Sequence, residues 1–105
     1  MITLKQGITF DCVLVMPAIY PDGYFLGWTL QSQIRTTAQK LIQTLTATWI
    51  DPTTATRNLR LFSNATTNWP VGIHDFDAKL TSSTGELVVV TETQQIEVRW
   101  SATQV

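Results

Sequence analysis

Apolar and polar residues alternate with a period of two in stretch after stretch of this chain, and few folds can use that pattern. Ile8, Phe10, Cys12 and Leu14 alternate with Thr9, Asp11, Val13 and Val15. His74, Phe76, Ala78 and Leu80 alternate in the same way with Asp75, Asp77 and Lys79. Successive side chains of a strand point to opposite faces, so this period places one apolar face inward and leaves the other wet. Threonine makes up about a sixth of the sequence, far above its usual share. It is β-branched and suits a pleated, half-buried surface.

Turn signals divide the chain into short strands. Pro17 ends the first alternating run, and Tyr20-Pro21-Asp22-Gly23-Tyr24 is a turn in which Pro, Asp and Gly each supply a needed backbone preference. The return run, Leu26 to Arg35, places Trp28, Leu30 and Ile34 on one face, and the two runs are expected to form a β-hairpin. Residues 37–50 fit a helical stripe (Ala38, Leu41, Ile42, Leu45, Trp49) and also an alternating strand. The regularly placed Thr44, Thr46 and Thr48 favour a strand from about Leu41, with Leu45, Ala47 and Trp49 inward. Asp51-Pro52-Thr53-Thr54 reads as a turn and Asn58–Phe62 as a strand. Asn64 to Pro70 reads as a short helical turn closed by proline, with a cis Trp69–Pro70 bond allowed. Ser82-Ser83-Thr84-Gly85 reads as a hairpin turn. Glu86–Trp100 is a long strand or bent pair, with Ile96, Val98 and Trp100 on one side.

Sequential short strands with frequent turns predict an all-β domain, an immunoglobulin-like two-sheet antiparallel sandwich with one short helical turn. No linker, repeat or low-complexity tail interrupts residues 1–105, so one domain is expected to fill the chain. Seven basic against eight acidic residues provide no field for nucleic acid or an anionic membrane, and neither is expected as a partner. Cys12 is the sole cysteine and His74 the sole histidine, so neither an intrachain disulfide nor a Cys/His zinc site is expected. Cys12 reads as a small apolar residue suited to a reducing cytoplasm. No secretory signal is read at the N-terminus.

Asp75 and Asp77 form a close carboxylate pair on one strand face, about 7 Å apart by strand rise. Such a pair can serve general acid–base chemistry or calcium binding, but beside Lys79 it reads as a solvated outer face. His74 and Asp75 point to opposite faces and do not form a dyad. No nucleophile elbow or phosphate loop is present. No catalytic, cofactor or metal residue is therefore assigned, and an enzyme is not expected. Leu87-Val88-Val89-Val90 is apolar on both faces. Leu87 and Val89 are interface candidates, together with Trp49 and Trp100, since aromatic residues anchor interfaces.

Several segments carry a family resemblance: Leu4-Lys5-Gln6-Gly7 with Thr9 and Phe10; Gly27-Trp28 followed by Ser32-Gln33-Ile34-Arg35; Trp69-Pro70 with Gly72 and Phe76-Asp77; and Thr91-Glu92-Thr93 before Ile96-Glu97-Val98. Together they resemble a group of small tailed-bacteriophage virion proteins and, more loosely, the immunoglobulin-like N-terminal domain of phage baseplate upper proteins. The resemblance implies a virion component made in the host bacterial cytoplasm, associated with tail, baseplate or fibre, and transfers no catalytic residue. Baseplate upper proteins continue into fibre-forming regions, whereas this sequence stops at Val105. The expectation is therefore assembly, with itself as a homo-oligomer or with other virion proteins. A carbohydrate- or receptor-binding module using exposed aromatics, and a capsid decoration protein, are the alternatives.

Overall fold

The computed structural model describes residues 2–50 and 56–101. They form strands β1 (Ile2–Lys5), β2 (Phe10–Val15), β3 (Thr29–Thr36), β4 (Leu41–Trp49), β5 (Asn58–Ser63), β6 (Gly72–Thr81), β7 (Val88–Val90) and β8 (Gln94–Arg99). The fold is all-β, and no described residue is helical. The turn expected at 51–54 lies outside the described residues.

Hydrogen bonding runs continuously through the order β1-β8-β6-β3-β4-β5-β2, with β7 also on β6. β6 is the hub. Its whole length from His74 to Thr81 pairs with β3, while its two halves pair with β8 and β7 along the other edge. β4 links the two ends of the path: its first half pairs with β3 and its second half with β5. The result is one continuous sheet curled nearly into a barrel.

The curl has a covalent cause. β1 and β2 are the two ends of the strand path, yet only Gln6 to Thr9 separate them. A connection that short spans no more than about 18 Å when extended. It is tightened further by Ile8 N–H donating to Lys5 O at 3.2 Å. Across the interior, the rings of Phe10 on β2 and Phe76 on β6 meet edge to face, 5.4 Å apart.

Both ends of β2 are covered by loops. At the Phe10 end, Trp69 is buried against Phe10 at 5.6 Å. Its indole N–H donates to Gln43 Oε1 at 2.7 Å, and its carbonyl accepts from Gln6 Nε2 at 2.7 Å. The short helical turn expected here is instead a single turn, in which Trp69 N–H donates to Thr66 O. Thr66 Oγ1 is committed to Ile8 O at 2.6 Å, which ties the segment to the β1–β2 connection rather than letting it wind into a helix. No described peptide bond is cis, so Trp69–Pro70 is trans.

At the other end, the 16–28 loop is a chain of tight turns carrying Tyr20, Tyr24, Phe25 and Trp28, with Gly23 at φ +80° supplying a backbone conformation other residues resist. Phe25 is buried and stacks on Trp49 at 5.9 Å. This loop corrects the expected hairpin. Among the described residues β2 pairs only with β5, and β3 pairs with β4 and β6. A connection that builds its own aromatic cluster is too large for a hairpin turn, so it carries the chain from one part of the sheet to another.

Arg57 anchors that loop. Its guanidinium donates to Met16 O, Pro17 O and Tyr20 O and to Asp22 Oδ1, at 2.6 to 3.1 Å. Removing these donors while keeping a long side chain, Arg57→Met, takes the charged partner from the Met16 and Tyr20 carbonyls, while Pro17 O keeps its bond from Tyr20 N–H. The expected loss is about 2–3 kcal/mol of unfolding free energy in urea denaturation.

Candidate functional site

A concavity of functional interest follows from the incomplete curl. A groove of about 460 Å³ has Val13 through Pro17 with Tyr20 on one wall and Val89 through Glu92 with Gln94 on the other. Consecutive strand residues point to opposite faces. When an unbroken run of them lines one groove, the groove runs along the strand's edge rather than over a face. β2 gives its other edge to β5, and β7 gives its other edge to β6. The groove is therefore the seam where the sheet fails to close, bordered on each side by a strand edge that carries no ladder among the described residues.

The wall residues Val13–Val15 and Val89–Val90 are apolar on both faces. Leu14 and Val89 pack against the core. Outward, Val15 is 68% exposed, Val88 51% and Val90 56%, with Val13 and Leu87 also exposed. Glu92 is the one charged residue in the groove wall, and it has no ion-pair partner among the described residues. Next to the seam, Asp11 on β2 pairs with Arg60 on β5, at 2.9 Å for each of two bonds. That hydrogen bond holds the Asp11 carboxyl below its ordinary range. Cys12 is half-buried, and burial pushes its thiol up from its ordinary value, so it carries little thiolate at neutral pH.

The interface candidates separate into two kinds. Leu87 is exposed beside the seam. Val89 faces inward, opposite Leu80 in the ladder, where it is partly buried against the core and also lines the groove. Trp49 is partly buried in the loop's aromatic cluster. Trp100 lies just beyond β8 and is 65% exposed, so it has left the inward side held by Ile96 and Val98.

Asp75 and Asp77 stand on the outer face of β6, half-exposed, beside a smaller polar groove shared with Gln33, Arg35 and Thr93. Asp75 Oδ1 accepts a bond from Gln95 at 3.4 Å. His74 is buried, with Nε2 2.6 Å from Pro70 O, and does not meet Asp75. Among the described residues no three His, Cys, Asp or Glu side chains gather as metal ligands do. The seam itself was not visible in the sequence, because its walls lie about seventy positions apart. The one available signal was that Cys12–Val15 and Leu87–Val90 are runs of consecutive apolar residues.

Compared with protein-family models and with curated proteins, the chain matches none.

Since both carboxylates are wetted and share a face with Lys79, the double substitution Asp75→Asn and Asp77→Asn should alter stability by about 0.5 kcal/mol or less. The melting temperature of that variant, with and without calcium, should track that of the parent.

Proposed function

We propose that this chain is a non-enzymatic structural protein of a bacteriophage particle, associated with tail, baseplate or fibre, and that it works by protein–protein assembly. The observation that carries the reading is the pair of apolar edge runs, Leu87–Val90 and Cys12–Val15, the latter on a strand whose one charged residue, Asp11, is paired with Arg60. Exposed edges normally carry lysine, proline or a bulge that blocks further pairing. Neither Cys12–Val15 nor Leu87–Val90 contains any charged residue or proline, and their outward valines are exposed. An assembled particle supplies the neighbours that would cover them. The phage assignment itself draws on the resemblance of the segments around Gly27-Trp28 and Trp69-Pro70. In this reading the curled sheet acts as an immunoglobulin-like body, with β4 passing from one layer to the other.

The carbohydrate-binding alternative needs a platform of exposed rings. Tyr24 and Trp100 are the exposed aromatic residues among those described. Tyr24 already packs on Tyr20, Phe25 and Trp28, which favours assembly over sugar stacking.

Val88→Lys and Val90→Lys place charges on the outward face of β7. A lysine at Val89 would strike the core instead. The double lysine variant should stay within about 0.5 kcal/mol of the parent in stability. It should also weaken self-association, or incorporation into purified particles, by at least about tenfold. Sedimentation and particle composition read the two effects separately. A parent chain that neither self-associates nor co-purifies with particles contradicts the assembly reading.

A further inference from the structure

We propose that the seam between β2 and β7 accepts an extended segment of a partner protein as an additional strand, apolar at alternate positions and bearing a basic residue that meets Glu92. This rests on the assembly reading and names the contact through which it would act.

The first argument is geometric. The wall residues Val13–Val15 and Val89–Thr91 present backbone edges, and among the described residues both edges lack a ladder on the groove side. A guest strand lying between them would bond to both, completing the barrel and removing both edges at once. The second argument is size. A strand takes about 3.3 Å of length per residue. At least three consecutive residues line the groove on each side, Val13–Val15 and Val89–Thr91, so its walls match a guest of about three residues of strand. β7 itself is three residues long.

The third argument is chemical. Toward the interior the guest would meet Leu14, Met16 and Val89, so its inward positions are apolar. Toward solvent it would lie beside Val13, Val15 and Val90, where β-branched residues pair well across strands. Glu92 is unpaired, so charge complementarity selects lysine or arginine at that end of the guest. An acidic segment would place like charges together and be rejected.

The test uses the full chain, labelled for amide hydrogen exchange. Two synthetic peptides of alternating threonine and valine serve as probes, one with a lysine pair at its start and one with the pair at its end. Controls are the same peptides with a central proline and with glutamates replacing the lysines. Binding of a lysine peptide should slow exchange by at least about tenfold at edge amides within both Val13–Val15 and Val88–Val90. The proline and glutamate peptides should fail to do so, and Glu92→Gln should remove the preference for lysine over glutamate. Protection along only one strand means simple edge addition, and overturns the slot. Protection of both edges without peptide, rising with protein concentration, means that a second copy fills the seam, and also overturns it. If the chain still joins particles while no peptide protects the edges, the slot is wrong and the assembly reading stands.

Discussion

The four-residue connection between β1 and β2 controls everything built around it. These strands are the opposite ends of the hydrogen-bonded path, so the covalent link forces a long sheet to bend back on itself. Bending creates an enclosed interior, and the sequence fills it. Phe10, Phe76, Ile34, Leu59, Leu61, Leu80, Ile96 and Val98 are all essentially inaccessible to solvent. Burying such side chains contributes about 1.5–3 kcal/mol each, against the conformational entropy of ordering the strands. The link acts at one end of β2 alone. At the other end no ladder among the described residues joins β2 to β7, and the curl remains open as the seam.

The two loops at the ends of β2 depend on this arrangement and reinforce it. Trp69 fills the Phe10 end and spends its indole donor on Gln43, a β4 residue that also accepts from Ser63 Oγ at 3.0 Å. One amide oxygen thus ties the cap to two strands, and no donor is left unsatisfied on the ring. The aromatic loop fills the Val15 end, with Arg57 gathering its carbonyls into one site. Because both ends are capped, the lateral groove is where apolar strand edges remain open to a partner.

Which face of each strand turns inward could be read from the sequence; which strands are neighbours could not. Period two correctly placed Leu45 inward with Thr44, Thr46 and Thr48 outward, and His74, Phe76, Ala78 and Leu80 inward on β6. These are local consequences of the pleat. The Ser82–Gly85 turn was equally local, and Gly85 N–H donates to Ser82 O as expected of it. Pairing is decided by contacts between distant residues. The expected β2–β3 hairpin failed because the loop between them is large enough to fold on its own aromatic rings. Two separate sheets were expected where β4 instead carries one sheet onward. Leu87 to Val90 stood out correctly as apolar on both faces, but the inward direction of Val89 follows from its register with Leu80. The second wall of the seam, Val13 to Pro17, lies too far away in sequence for any local pattern to join it to the first.

The proposed assembly through strand edges rests on a sheet that bends by covalent necessity yet stops before its last pair of strands can bond. The most direct test is a map of interstrand proton contacts and amide exchange in the isolated chain by nuclear magnetic resonance. The account predicts slow exchange through β3, β5 and β6, fast exchange at the outer edge amides of Val13–Val15 and Val88–Val90, and no proton contacts between those two segments across the seam. Direct β2–β7 contacts with slow exchange on both edges would mean that the barrel closes unaided, and would contradict it.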